Sequence, residues 1–437
     1  MAMTTSGDFH AVSITQSIAP NKQVDLGASD ARSAEWQGID SDIELNVLAV
    51  WAGEEPLPLL FVTLDLLYPG QRIREAVENA ASNVPADRIV VAASHTHRAP
   101  MTDPSKPALG YPDEEYMRWV TERITETVRT VLLSPRQPVS ISVGDTSATH
   151  SINRRLRKRV VVARRPRLND VVNAPNPDGP TDEQLTALMV SDVSGKPLAL
   201  MWNYSCHPVG GPVRNAVSSH FPGVVRETVR ETLDAPGLPV LFLQGFSGDT
   251  RPNASTKVHS LRRRIRQLVS GRLFEDMTWT DYREWCRGLS GVLLRALDEA
   301  TAVGAAGLTG RRLLVPVDRI VKGRDAGVMS FGRLGIGDLV TIYTASGELV
   351  VDYALRARRT AASRFVLCVG CVDDVVGYIP SRRVQAEGGY EGGGFTRAFG
   401  LEGLQDDVEQ VVVGAFRALE EPGRRAGESR VRSEKDN

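Results

Sequence analysis

The stretch SHTHRAP, Ser94 to Pro100, places two histidines two positions apart, directly after the apolar run Arg88-Ile89-Val90-Val91-Ala92-Ala93. If extended geometry persists past that run, a side-chain period of two puts His95 and His97 on one side, close enough to share a metal or a substrate. Other reactive groups recur in the same kind of place. NYSCHP, carrying His207, follows an apolar run that closes near Met201. QGFSGDTRPN, carrying Asp249 and Arg251, follows 239–243, and TASGE, carrying Glu348, follows 338–343. Two histidines and a glutamate suit zinc, because neutral imidazole and carboxylate match a borderline ion and three protein ligands leave a position for water. The competing reading is structural: a lone histidine at a strand end is more often a hydrogen-bonded packing residue than a ligand.

The elements that must position these groups alternate along the chain. Short, continuous apolar runs at 58–64, 88–93, 197–202, 239–243, 338–343 and 364–371 read as strands buried on both faces. Between them, amphipathic stretches near 71–83, 114–133, 221–234, 257–272, 279–300 and 348–362 read as helices. The pattern is α/β: mixed, largely parallel sheets flanked by helices. In open sheets of this kind ligands bind at the carboxyl edge of the strands, so His95, His97, His207, Asp249, Arg251 and Glu348 can converge on one site. The Pro/Asn/Asp-rich segment 164–183 reads as a long loop, and 421–437 as a flexible charged tail. That leaves residues 1–420 as a single catalytic domain.

Composition excludes several classes. With 437 residues, 42% of them hydrophobic and 24% charged, the chain is an ordinary globular protein rather than a disordered or fibrous one. A formal net charge of -1 gives no overall attraction for nucleic acid or an anionic membrane, so partners must be argued from local patches. No apolar run is long enough to span a bilayer and the N-terminus lacks a signal-peptide pattern, so a cytoplasmic location is the expectation. Four cysteines are too few for a disulfide scaffold.

Seven blocks occur in the order and character of one enzyme family: SHTHRAP, INRR (152–155), DGPTDEQLTALMVSDVSGKPLALMWNYSCHP (178–208), FPG (221–223), FLQGFSGDTRPN (242–253), SGELVVDYALRARR (346–359) and GYIPSRRVQAEGGYEGG (377–393). Over roughly 40 to 400 the chain resembles the catalytic domain of the neutral, non-lysosomal ceramidases, as a divergent bacterial-type member. The resemblance implies a zinc amidohydrolase with a large α/β catalytic domain, here without the C-terminal immunoglobulin-like domain of true ceramidases. Position by position, it implies His95, His207, Glu348 and Tyr378 as zinc ligands, with Glu348 opening a helix. It implies His97 as the histidine that faces the substrate and Tyr390 as the tyrosine that contacts the reacting group.

Two departures bear on substrate. Arg251 stands where the family has a serine that takes part in amide cleavage. A guanidinium cannot serve as an ordinary nucleophile, but its planar fork suits a carboxylate or phosphate. His220 replaces the acid that usually precedes Phe-Pro-Gly, and either retunes the site or faces solvent. The expected activity is therefore hydrolysis of a C–N amide bond in a small, anionic substrate by metal-activated water. In it His97 moves protons, Tyr390 stabilises the oxyanion, Arg251 orients the substrate, and Asp249 holds Arg251 or His97 in place. The alternatives are an acyl transferase or amide-forming cyclase, an amidase of ceramide-like N-acyl lipids, or an inactive zinc-binding protein. The expected partner is a carboxylate-bearing amide, with homo-oligomerisation left open.

Other features have bland readings. The basic stretches 154–167 and 261–266 lack the interleaved aromatics of a nucleic-acid platform, which leaves an anionic substrate or a subunit contact as their use. Cys368-Val-Gly-Cys371 has redox spacing but lies in an apolar run, so buried packing is the better reading. The glycines around Tyr390 read either as a loop that closes over substrate or as a plain surface turn.

Overall fold

The structure, a computed structural model, describes residues 9–27, 36–162, 165–213, 215–304, 307–324 and 326–421. Apart from Glu421, the charged tail lies outside the described residues. In chain order the first half supplies β1 (Phe9–Ser17), β2 (Glu44–Ala52), β3 (Leu59–Leu64), β4 (Ile89–Ala93), β5 (Gln137–Ser147), β6 (Ser151–Val162), β7 (Arg165–Asn176), β8 (Gln184–Asp192), β9 (Pro197–Tyr204), β10 (Val240–Gln244) and β11 (Thr250–Pro252). The second half supplies β12 (Thr301–Ala302), β13 (Leu308–Pro316), β14 (Val321–Lys322), β15 (Val328–Ile336), β16 (Val340–Ala345), β17 (Glu348–Leu349), β18 (Phe365–Val369), β19 (Tyr378–Ile379) and β20 (Gly403–Leu404). The helices are α1 (Gln71–Ala80), α2 (Glu114–Leu133), α3 (His220–Thr232), α4 (Leu261–Ser270), α5 (Trp279–Asp298), α6 (Val351–Thr360), α7 (Arg382–Glu387) and α8 (Val408–Glu420).

Nine strands form one sheet in the order β10-β9-β8-β5-β1-β2-β3-β4, with β12 on β5. A second sheet runs β13-β15-β16-β18. The inward faces of the two sheets meet in one apolar layer, where Leu48, Val50 and Phe61 pack with Ile336, Ile342 and Leu367. The outer face of the large sheet carries α1 and α2 at one end and α3 and α5 at the other. The outer face of the small sheet carries α6 and α8. This helix–sheet–sheet–helix layering explains the continuous apolar runs: β2, β3, β4, β10, β16 and β18 are buried at every position because both faces are covered.

The mixed α/β class is borne out, but parallel pairing is the minority. Parallel pairs are β9–β10, β3–β4, β16–β18 and β17–β19; the remaining pairs are antiparallel, because short turns such as 193–196 join sequential strands. The segment 164–183 is not a long loop. Its first part is β7, which pairs along β6 to make a two-stranded arm that β11 extends. Polar and charged residues can occupy such a ribbon because it is not sandwiched between layers, so the composition that signals a loop is compatible with extended pairing here.

Candidate metal centre and its surroundings

His95 and His97 follow β4, as the sequence indicates, but extended geometry does not persist. β4 ends at Ala93, and His95 takes a left-handed backbone with φ 63°, a costly conformation for a non-glycine residue that is characteristic of functional sites. The turn redirects its ring. His95 Nδ1 donates to the Leu67 carbonyl at 3.0 Å, and Nε2 lies 2.9 Å from Nε2 of His207. His207, in the loop after β9, points Nδ1 at the Ser247 carbonyl at 3.3 Å. With both Nδ1 atoms committed to carbonyls, both Nε2 atoms point into the shared space, where a neutral ring presents a lone pair to a metal.

Glu348 completes the convergence. Its Oε2 lies 3.3 Å from His95 Nε2 and 3.8 Å from His207 Nε2, and has no hydrogen-bond partner although buried. Its Oε1 accepts from the Tyr68 hydroxyl at 2.5 Å. Glu348 does not open a helix: it stands on the short strand β17, three residues before α6, in register with Tyr378 on β19. These three atoms, in residues 0–4% exposed, need a cation between them: a bound metal, or the proton that the raised pKa of His95 places there without one. One ring nitrogen each of His95, His97 and His207 lies within 4.8 Å of the others, so His97 stands beside the point where His95 and His207 meet. Separations of 2.9–3.8 Å fit donors that share one ion at about 2.1 Å. The residues present therefore fit a zinc-type ion.

The electrostatics follow the same geometry. Burial opposes a charge on His95, yet Cys371 and the adjacent Glu348 carboxylate hold its pKa well above the ordinary value. Burial, reinforced by His95 and by the guanidinium groups of Arg98 and Arg154, holds His97 far below it, so His97 is neutral. Burial and Arg154 do the same to His207. Glu348 is held down against its burial chiefly by His95. Tyr378 is pushed well above the phenol range by burial and by Glu348.

A second set of side chains positions the first. Arg154, buried on β6, donates to the Gly248 carbonyl at 2.8 Å, the Tyr378 hydroxyl at 3.1 Å and Glu391 at 2.8 Å. Glu391 also takes a 2.8 Å bond from Arg155, whose other bonds reach the Val384 and Gly388 carbonyls. Glu391 thus fastens the glycine-bounded turn that bears Tyr390 to the β6 arm. Tyr390, 44% exposed, stacks edge-on against Tyr378 with centroids 5.3 Å apart, which sets it at the rim. Burial, with a contribution from Glu348, lifts its hydroxyl to about 12, so it keeps its proton.

Asp249 and Arg251 part company. Asp249 is fully buried and accepts from the Val351 amide at the start of α6 (2.9 Å) and from Asn153 (3.1 Å), so it holds neither Arg251 nor His97. It is a buried cap of α6, raised to about 6 by desolvation. Arg251, on β11, lies 4.2 Å above the Phe274 ring, beside Gly210; a side chain at Gly210 would meet its guanidinium at 2.6 Å. His220 does not face solvent. It is 5% exposed, has φ 57°, and accepts the Gly211 amide at Nε2. Burial, with Arg98 and Arg251, lowers its pKa to about 3. α3, which starts at His220, is tied to the large sheet by buried pairs of Arg230 with Glu44 (2.7 Å) and Arg226 with Asp65 (2.6 Å). Cys368 and Cys371 are buried and unpaired with each other; Cys368 packs in the core, whereas Cys371 lies against His95.

Sequence reasoning missed Tyr68, Arg154 and Glu391. Tyr68 carries the same signal as the histidines, since it follows β3 at a carboxyl end. Arg154 and Glu391 lie inside blocks of the family pattern but on elements whose pairing the sequence does not reveal.

Comparison with solved structures decides the fold. A ceramidase complexed with C2 superposes with a TM-score of 0.70 at 14% identity, covering 92% of this chain and 73% of that one. Neutral ceramidase from Pseudomonas aeruginosa superposes with a TM-score of 0.71 at 15% identity, covering 94% and 74%. The chain has the neutral ceramidase fold. No sequence-family model and no curated protein sequence matches it, in keeping with identities of 14–15% to structures of the same fold. Among the described residues no helix is long and apolar enough to cross a membrane.

Proposed function

We propose that this ceramidase-like protein is a zinc-dependent amidohydrolase that cleaves the C–N bond of a small amide carrying an anionic group. The observation that carries the reading is the meeting of His95 Nε2, His207 Nε2 and Glu348 Oε2 at 2.9–3.8 Å, with both imidazoles fixed by carbonyls behind them. His95, His207 and Glu348 would hold the ion, with Tyr378 beside Glu348 as a fourth, displaceable donor. When bound, zinc supplies a Lewis acid for the scissile carbonyl and lowers the pKa of water.

The chain's own groups do the rest. His97 is neutral, and its buried Nε2 has no partner, so it can accept the proton of the attacking water. Water oxygen bonds to the carbonyl carbon, the C–N bond breaks, and His97 returns the proton to the departing nitrogen. Tyr390, protonated at the rim, donates to the carbonyl oxygen as charge develops there. Arg154 fixes the Tyr378 hydroxyl. Arg251, 4.2 Å above the Phe274 ring, would orient a substrate carboxylate.

The test is metal content by mass spectrometry with turnover of small N-acyl compounds, with and without a carboxylate. About one zinc per chain, lost on His95→Ala, His207→Ala and Glu348→Ala, is expected. Arg251→Ala should raise KM for the carboxylate-bearing amide by about tenfold or more with a smaller change in kcat. A wild-type protein that takes up no zinc on reconstitution would sink the proposal.

A further inference from the structure

Between β11 and α5 the chain makes an excursion whose central element, α4, lies on the surface. Its sequence, LRRRIRQLVS, is amphipathic in an unusual sense: the apolar residues face out. Leu261, Ile265 and Leu268 are 73%, 55% and 87% exposed. At about 100° per residue they fall in one stripe about 60° wide, bordered by Arg262 on one side and Arg264 on the other. Arg263 pairs with Glu275 at 3.4 Å, and Gln267 is half-buried.

The excursion is fixed at its ends to the surroundings of the metal centre. The Glu275 amide donates to Ser255, the Met277 amide donates to Gly210, and Phe274 lies under Arg251. Lys158 on the β6 arm donates to the Arg272 carbonyl at 3.0 Å. The outward apolar stripe is therefore a property of an anchored element beside the site, not of a free end.

Charge selects the occupant. From Lys257 to Phe274 there are six Lys or Arg and no Asp or Glu, in a chain whose net charge is -1. A second copy of this face would oppose like charges, and a phosphate backbone has no use for a leucine stripe. A surface that is anionic at the level of Arg262, Arg264 and Arg266 and apolar just beneath is a bilayer of acidic lipids, where arginine stems lie along the apolar face while their heads stay at the phosphates. We propose that α4 docks this protein, peripherally and reversibly, on anionic membrane surfaces. The inference concerns a surface outside the metal centre and stands or falls independently of amide hydrolysis.

Co-sedimentation with vesicles tests it, using the full chain with zinc added. Vesicles of phosphatidylcholine with about a third phosphatidylglycerol should bind the protein, while pure phosphatidylcholine should bind it at least about tenfold more weakly. Leu261→Ser with Ile265→Ser and Leu268→Ser should reduce binding about tenfold or more, and each of Arg262→Gln and Arg266→Gln about fivefold. These residues are exposed, so circular dichroism and zinc content should be unchanged. Equal binding by the apolar triple variant would overturn the proposal, as simple adsorption of charge. So would absence of vesicle binding, tighter retention on duplex DNA than on the mixed vesicles, or a wild-type dimer that the triple variant dissolves.

Discussion

Glu391 is the sharpest point at which to test how the site is held. It is 4% exposed and accepts one 2.8 Å bond from each of two buried arginines, Arg154 and Arg155. Removing one partner of a buried ion pair costs about 3–5 kcal/mol, because the remaining charge is left uncompensated. Here both guanidinium groups keep other acceptors: Gly248 and Tyr378 for Arg154, and Val384, Gly388 and Glu387 for Arg155. Glu391→Ala should therefore fall at the low end, destabilising the protein by about 3 kcal/mol. Glu391→Gln keeps an acceptor oxygen for one arginine and should lose about half as much. Urea unfolding of the metal-free protein measures both, so that zinc binding does not enter the comparison. An alanine variant within about 1 kcal/mol of wild type, or a glutamine variant no better than alanine, would refute the reasoning.

Asp249 gives a pH prediction with a sign opposite to that of most carboxylates. Its folded pKa, about 6, lies above the ordinary 3.8, so the stabilisation it supplies is full below about pH 4 and is lost as pH rises through 6. Relative to Asp249→Asn, wild type should lose on the order of 3 kcal/mol across that interval; a stability difference that is flat with pH would rule this out. Gly248→Ala probes the backbone behind Glu348: a β-carbon there would lie 2.6 Å from the Glu348 carbonyl and 3.0 Å from that of Leu349. The strand must shift, at about 1–3 kcal/mol, and zinc affinity measured against a competing chelator should fall at least about tenfold. Unchanged affinity would mean that Glu348 is not held as described.

Much of this was legible in the sequence, for identifiable reasons. The runs that became β3, β4, β9, β10, β16 and β18 are buried on both faces, and that state leaves a continuous apolar signature. The strand-end rule placed His95, His207 and Glu348 near one another before any geometry was known. What failed depends on pairing. β6 is rich in charge, and β7 took the composition of a loop because it pairs with β6 outside the apolar layers of the two large sheets. Asp249 looked like a partner for Arg251, two residues away, but alternate residues on a short strand serve different neighbours once a helix start competes for the carboxylate. Arg154 and Glu391 lie 237 residues apart, and nothing local in either announces the other.

The separation of the donors along the chain has a consequence for synthesis. His95 precedes His207 by 112 residues and Tyr68 precedes Glu348 by 280. A nascent chain emerging amino end first offers a two-histidine half-site long before the carboxylate leaves the ribosome. On the proposed function, that half-site would hold a metal only loosely, so the ion would be committed, and hydrolysis become available, only after the C-terminal sheet has docked. Metal loading would then act as a natural marker of finished molecules, separating them from truncated or stalled ones that carry every histidine of the centre.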